Sequence, residues 1–378
     1  MHIGLLIKDF AIGKKFNKDG LPSKSGAEFH GENHAKQLIK LGNQVTIFAK
    51  KRYYFTKARE TIDGIDLVRL HAPFRWFELM YRIITTHRSI DAFYIIGLPK
   101  FSVWAVLIAK LLNKPVTLAL TAKMEIFDKN DNWRNKIFAT CDHFIATSNE
   151  IGHGYAERGG IPKEKISVLP HGLDTNRYPM PTENEKREKR CNFGIKADAP
   201  VVVFCARITE DKGIDVLTSA WPIVHQRCPE AVLLIVGGGK EYLLQKMRQM
   251  STENDNSALI IGEVDFPQDY YQMGDIYLFP SRHEALPTSL IEAMSSGLTP
   301  LTCRIGGCED VVKDNETGFM LPVDDYQSFA EKMVHLIEHP DERKKMGIQA
   351  HKLVKQYCDY DNIIGKLEDI ICDGRQYK

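Results

Sequence analysis

The sequence predicts an α/β protein made of two doubly wound domains, each a parallel sheet covered by helices. Three observations lead there. Short apolar runs rich in β-branched residues alternate with helix-length amphipathic stretches along the chain. The 378 residues amount to about two and a half times a typical single domain. A charged stretch without an apolar period, residues 179–196 with Glu183-Asn-Glu-Lys-Arg-Glu-Lys-Arg190 inside it, parts the runs into two series and reads as a solvated boundary.

The first series predicts strands at His2–Ile7, Gln44–Ala49, Ala92–Ile96, Val116–Leu120, His143–Ala146 and Ser167–Leu169. The second predicts Val201–Ala206, Ala231–Val236, Ala258–Ile261, Ile276–Phe279 and Thr299–Thr302. Asp341 to Ile371 reads as helices. Ligands of doubly wound sheets sit at the carboxyl ends of the strands, so a cleft between the two domains is the expected site.

Composition narrows the classes. With 43% hydrophobic and 26% charged residues and no low-complexity tract, the chain is not of the disordered, collagen-like or coiled-coil kind. Met1-His-Ile-Gly-Leu-Leu-Ile-Lys8 has no basic leader before its short apolar run, so an intracellular, cytoplasmic chain is expected. The apolar stretch from Phe101 to Leu112 is broken by Lys110 and falls short of the roughly 20 residues a spanning helix needs. Eight scattered cysteines form neither a CxxC pair nor a Cys/His knot, and read as reduced, mostly packed thiols. The net charge of +1 hides an asymmetry: residues 1–180 hold 27 Lys and Arg against 17 Asp and Glu, and residues 181–378 hold 23 against 32. A basic first half implies an anionic partner, lipid head groups or a phosphorylated acceptor, or else attraction between the two domains. No nucleic-acid partner is expected.

A dinucleotide site fails locally. The cluster Gly237-Gly238-Gly239-Lys-Glu-Tyr242 lacks the third glycine of GxGxxG, and the first strand runs into Lys8-Asp9-Phe10. No Walker loop occurs, and the DxD at Asp359-Tyr-Asp361 falls in the terminal helical region, on what reads as a solvated face. Neither a metal nor a cofactor is expected.

The chemistry concentrates in Pro280-Ser-Arg-His-Glu284-Ala-Leu-Pro-Thr-Ser-Leu-Ile-Glu292-Ala-Met-Ser-Ser-Gly297. A strand ends at Phe279, a tight loop carries Glu284, and Thr288 or Ser289 begins a helix that Gly297 closes. The helix N-terminus is an anion site that two carboxylates would flank, which suits a phosphate plus a polyol. Glu292 has a second reading as the end of a Ser289-x-x-Glu292 capping box.

This spacing resembles the EX7E motif of the family 4 retaining glycosyltransferases, also called group 1, which have the GT-B fold. Ala206-Arg207-Ile-Thr-Glu-Asp-Lys212-Gly213 resembles the family's segment after the first strand of the second domain. Leu169-Pro-His-Gly-Leu-Asp174-Thr-Asn-Arg-Tyr178 resembles its interdomain junction, and Ser25-Gly26-Ala-Glu ahead of Ala35-x-x-Leu38-x-x-x-Gly42 its first glycine loop. The resemblance covers nearly the whole chain. It implies two Rossmann-like domains facing across a cleft: an acceptor-binding domain over 1–175, with the terminal helix of about 360–378 packed back on it, and a nucleotide-sugar domain over 176–359. It also implies transfer of a sugar, with retention, from a nucleotide-diphosphate donor (UDP ahead of GDP) to a glycan or lipid-linked acceptor, in bacterial surface polysaccharide or glycoconjugate synthesis.

By the same resemblance Arg207 and Lys212 would hold the donor diphosphate, Glu284 would face the transferred sugar and Glu292 would take the ribose hydroxyls. Fixed cations of this kind are what a metal-independent diphosphate departure needs. Backbone N–H groups around Ala285, Leu286 and Thr288 would complete the phosphate cradle, Pro287 having none, and Gly26 would let the first domain's backbone approach it. His283 and Arg282 are close enough in sequence to line the pocket. Three positions depart from the family pattern: Ala285 stands where glycine usually follows the first carboxylate, Ala27 replaces the second of paired glycines, and Thr121-Ala122-Lys123 stands where a histidine is common. The general base stays open, with Glu125, Asp128 and His30 as candidates beside Thr121.

On the acceptor side, Phe74 to Ile84 carries an apolar stripe at helical spacing with Arg75, Glu78 and Arg82 opposite, near Lys50-Lys51-Arg52. It would seat the chain on the inner face of an anionic membrane, or pack on its own sheet. Two rival functions share the scaffold: a sugar phosphorylase using inorganic phosphate, and an inactive nucleotide-sugar-binding partner subunit, suggested by Thr121 and opposed by the intact Glu284, Glu292, Arg207 and Lys212 set.

Overall fold

The structure, a computed structural model, describes residues 1–8, 10, 26–50, 57–71, 73–97, 99–121 and 133–373. The chain divides into two compact units. One comprises Met1–Gly172 and the chain from Tyr360 onward; the other is Leu173–Asp359.

In the first unit eight strands form one sheet in the order β3-β4-β2-β1-β5-β6-β7-β8. These are β1 His2–Leu6, β2 Gln44–Lys50, β3 Arg59–Ile62, β4 Ile65–Leu70, β5 Ala92–Ile96, β6 Val116–Leu120, β7 His143–Ala146 and β8 Ile166–Val168. All neighbours are parallel except β3 and β4, an antiparallel hairpin that the sequence expectation missed. Its signal was present: Asp63-Gly64 have φ of 49° and 80°, the backbone a two-residue hairpin turn demands. The central strands are buried on both faces, as in any sheet sandwiched by helices. Ile363, Ile364, Leu367, Ile370 and Ile371 of the terminal helix Tyr360–Asp373 join Ile3, Leu5, Leu38 and Tyr94 in one core cluster.

In the second unit six parallel strands run β11-β10-β9-β12-β13-β14. They are β9 Val201–Cys205, β10 Val232–Val236, β11 Ala258–Gly262, β12 Ile276–Phe279, β13 Thr299–Cys303 and β14 Phe319–Leu321. One face packs against Trp221, Met247, Phe329 and Met333, and the other against Tyr271, Leu290, Met294 and Ala350. β14, a three-residue strand, was also missed; so short a run carries no period.

Two expectations are corrected. The charged stretch before β9 is solvated over most of its length, as expected, but it is a helix, Glu183–Asn192, opened by a reciprocal capping box between Thr182 and Glu185, and it lies inside the second unit rather than at its boundary. It docks through charge rather than apolar surface. Arg190, buried, donates to Asp275 at 2.7 Å and to the Met273 carbonyl at 2.9 Å, and Lys186 reaches Asp275 at 3.2 Å. Burial alone would raise the Asp275 carboxyl; Lys186, Arg190, Arg343 and the Val201 N–H hold it below the usual range. Asp359 is likewise buried rather than solvated, and accepts the Thr175 hydroxyl beside the bond from the Leu173 N–H to the Cys358 carbonyl.

Candidate active site

In the second unit, four chain segments meet at the carboxyl ends of β9, β10 and β12. The loop after β9 carries Arg207, which is exposed, and Lys212, which is mostly buried. Two glycines let it lie where it does. Gly213 has φ 69°, and a Cβ there would overlap the Pro280 carbonyl; Gly237, with φ 139°, would overlap that of Ala206. The triple glycine after β10 therefore serves as a floor for the Arg207 loop: the Ile208 N–H donates to the Gly238 carbonyl at 2.8 Å.

The loop after β12 is strapped to the same segment. The Arg282 N–H donates to the Asp211 carbonyl at 2.8 Å, and its guanidinium bonds the Glu210 carbonyl and pairs with Asp215 and Asp324, each at 2.6 Å. Arg282 is thus a strut of the loop rather than a free pocket wall. Next to it, the Lys212 ammonium donates directly to Glu284 Oε1, which also accepts the Ser281 hydroxyl at 3.0 Å. Two groups 72 residues apart in sequence form one ion pair, each largely withdrawn from solvent. His283 is exposed, Ala285 half-buried, Leu286 buried and Thr288 half-buried.

The helix after this loop, Thr288–Ser295, has Pro287 at its N-cap with no side-chain cap, so its first-turn N–H groups have no capping oxygen from that residue. Tyr277 on β12 steadies the turn: its hydroxyl donates to the Cys205 carbonyl at 2.9 Å and lies 2.8 Å from the Ser289 oxygen. The capping-box reading of Glu292 is corrected here. Glu292 lies inside the helix, where its carboxylate accepts the Tyr178 hydroxyl at 2.8 Å and the Tyr271 hydroxyl at 3.1 Å. Burial lifts this carboxyl to about 7, against the pull of the two phenols and Arg177.

The candidates of the first unit are placed as follows. Thr121 follows β6, half-buried at the carboxyl end of its strand. Gly26 opens the helix Gly26–Lys40. Ser25, Lys51, Arg52, Ala122, Lys123, Glu125 and Asp128 lie outside the described residues. His30 is buried, its ring stacked on His171 at 3.6 Å and 5°, with His34 6.4 Å away. Burial, and then the two neighbouring rings, push His30 well below the usual imidazole range.

The stripe at 74–84 forms the helix Arg75–Thr85 and is only partly packed. Leu79 and Ile83 are buried, but Phe74 is 66% exposed and Phe77 and Tyr81 are 59% exposed. The exposed apolar surface continues onto two further helices. Trp76 meets Trp104 of Ser102–Leu111 at 5.2 Å, Trp104 meets Trp133 of Trp133–Phe138 at 6.4 Å, and Leu107 and Leu111 are exposed beside them. No helix among the described residues is long and apolar enough to cross a membrane.

Comparison with known proteins identifies the class. Residues 24–177 match the model for Glycosyltransferase Family 4, and residues 185–353 that for Glycosyl transferases group 1. The Schizosaccharomyces pombe phosphatidylinositol N-acetylglucosaminyltransferase gpi3 subunit is 25% identical over 93% of this chain and 79% of its own length. The GDP-mannose-dependent alpha-(1-6)-phosphatidylinositol monomannoside mannosyltransferase of Mycobacterium tuberculosis is 28% identical over 56% of this chain, and the match spans only 56% of that relative. Among solved structures, Anabaena HepE in complex with UDP superposes with a TM-score of 0.81 over 99% of this chain and 100% of its own, at 17% identity, a likeness of fold. The chain is a glycosyltransferase; within that class it belongs to family 4, group 1, and its two parallel-sheet units have the GT-B fold.

Proposed function

We propose that the protein transfers a hexosyl group from a nucleoside-diphosphate sugar to a lipid-linked or glycan acceptor, with retention and without a metal. The observation that carries this reading is the Lys212–Glu284–Ser281 cluster beside the N-terminus of Thr288–Ser295, where Pro287 at the N-cap gives no side-chain cap. A diphosphate arriving there meets the Lys212 ammonium, the exposed Arg207 and the first-turn N–H groups, which together stabilise the charge that develops as the sugar leaves. Its phosphate oxygens compete with Glu284 for Lys212, and Glu284 is released toward the sugar. Glu292 takes the ribose. The departing phosphate oxygen accepts the acceptor's proton, so Thr121 in place of a histidine is compatible with turnover. UDP is the preferred nucleotide of this reading and GDP the alternative: HepE was solved in complex with UDP, and the mannosyltransferase is named for GDP-mannose. The setting is the one the sequence resemblance implies, bacterial surface polysaccharide or glycoconjugate synthesis.

A lipid-linked acceptor is favoured by the apolar face of the first unit, and both curated relatives carry phosphatidylinositol in their names. The three helices of that face hold Arg75, Arg82, Lys110, Arg134 and Lys136 against one acid, Glu78, itself paired with Arg82 at 2.8 Å. Exposed aromatic rings edged with cations suit the head-group region of an anionic bilayer and place the enzyme peripherally on it.

The test is a thermal-shift and calorimetry panel of UDP, GDP and their sugar conjugates in chelator, on wild type and Arg207→Ala. The reading expects one nucleotide series to raise the melting temperature of the wild type and to lose that effect in the variant. Binding of inorganic phosphate or a sugar phosphate instead would replace it with the phosphorylase.

A further inference from the structure

Glu292 is held in an unusual way for a buried carboxylate. It is 8% exposed, and the two hydrogen bonds it accepts come from neutral phenols rather than from a cation. Burying a carboxylate against neutral partners is costly, and most folds avoid it. Here three separate elements converge to do it. Glu292 sits in the helix Thr288–Ser295, Tyr271 in the helix Gln268–Met273, and Tyr178 follows the short turn Thr175–Arg177 at the start of the second unit. The rings brace one another, Tyr178 against Tyr271 at 6.1 Å and Tyr271 against Tyr277 at 5.9 Å. Tyr271 is fully buried and Tyr178 nearly so.

The geometry has a consequence for recognition. Oε1 is taken by Tyr178 and Oε2 by Tyr271, so neither oxygen is doubly occupied and the carboxylate cannot turn about its last bond without losing a partner. One acceptor position on each oxygen is left over. Two fixed acceptors on one carboxylate match two adjacent hydroxyl donors, a vicinal diol, and do not match a phosphate, which offers no donor when ionised.

We propose that Tyr178 and Tyr271 are positioning residues: they lock the Glu292 carboxylate so that its two free acceptor positions receive the 2′- and 3′-hydroxyls of the donor's ribose. This rests on the nucleotide-sugar reading above. The phenols also keep Glu292 an acceptor. The titratable or charged groups facing it are Tyr178, Tyr271, Tyr277, Cys205 and Arg177, and of these only the two bonding phenols and Arg177 oppose the effect of burial. Burial pushes the Cys205 thiol up to about 12, so it stays neutral, as the tyrosines do. Loss of either bonding phenol moves the Glu292 carboxyl further up, so ribose recognition is lost at a higher pH on acidification.

The experiment is calorimetric titration of UDP and GDP, and of the same nucleotides lacking the 2′- and 3′-hydroxyls, into wild type, Tyr178→Phe and Tyr271→Phe between pH 6 and 8.5. The expected result is a loss of roughly tenfold or more in affinity for the preferred parent nucleotide in each variant, the scale of one hydrogen bond to a charged group. Affinity for the dideoxy nucleotide is expected to stay unchanged, and the acid limb of binding to move to higher pH. With the sugar donor, KM rises and kcat is kept. Equal weakening of parent and dideoxy nucleotide, which a merely structural role produces, overturns the proposal, as does no change in either. Because Tyr271 is the deeper ring, Tyr178→Phe alone decides if the other variant does not fold. If the wild type binds neither nucleotide, the donor reading falls and takes this assignment with it; if it binds and the variants behave as the wild type, only this assignment falls.

Discussion

Acidification probes the histidine stack of the first unit. His30 and His34 are buried and His171 is half-buried against them, its ring on that of His30 at 3.6 Å, with His34 Nδ1 3.3 Å from the Tyr94 hydroxyl. Burial takes His34 down to about 4, and burial with the neighbouring His34 takes His171 to about 3, against 6.5 for a free imidazole. The folded value lies below the unfolded one, so the unfolded chain binds more protons between them. Stability from keeping the rings neutral is therefore fully present above pH 6.5 and is lost as pH falls toward 4. At pH 4.5 the loss is about 2.5 kcal/mol for His34 and about the same for His171, counted as independent sites. That is a large part of the stability of a typical domain. The assay is urea unfolding at a series of pH values, followed by the fluorescence of the tryptophans, of which Trp76, Trp104 and Trp133 belong to the first unit and Trp221 to the second. The variant His34→Gln, which cannot charge, is expected to be weaker than wild type at pH 7.5 and to show a pH slope shallower by about one proton between pH 6 and 4.5. A wild-type slope no steeper than that of the variant refutes the argument.

Three further outcomes are expected. Asp275→Asn leaves Arg190 buried without its counter-charge and lowers the stability of the second unit by about 3 kcal/mol or more, read as a fall in its thermal midpoint. Gly213→Ala forces a side chain into left-handed backbone and against the Pro280 carbonyl, at a cost of about 1–3 kcal/mol, and displaces the Lys212 loop; nucleotide affinity measured by calorimetry falls although no charged group is removed. The pair Phe77→Glu with Tyr81→Glu abolishes co-sedimentation with anionic vesicles at low salt and leaves nucleotide binding as in wild type; retained sedimentation would argue against a bilayer-facing helix.

Most sheet strands were legible because each is a short apolar run, and a strand buried on both faces needs nothing more to be seen; β14, three residues long, was too short for that. The hairpin Arg59–Leu70 was not, because Arg59, Glu60, Asp66 and Arg69 break its apolar pattern; they pair across the strands, Arg69 with Glu60 and Arg59 with Asp66 at 2.8 Å. The helix Glu183–Asn192 hid for a related reason. It is charged all round, and its anchor, Asp275, lies 85 residues beyond Arg190. The Thr182–Glu185 capping box was the available signal, and it is local. At the candidate site the motifs brought out Glu284, Lys212 and Glu292, whereas Tyr271 carries no motif of its own and Tyr178 came only as the last residue of the junction stretch, with no role attached to it. They acquire significance only once the fold sets both hydroxyls on one carboxylate.

The central proposal is tested most directly by turnover in chelator: the enzyme with its preferred nucleotide sugar and a lipid-linked or simple glycan acceptor, followed by nucleoside-diphosphate release and by the anomeric configuration of the product. The account predicts release by the wild type, loss of release in Lys212→Ala, and a product with the donor's own anomeric configuration. Nucleotide binding without release, inversion at the anomeric carbon, or a requirement for inorganic phosphate would contradict it.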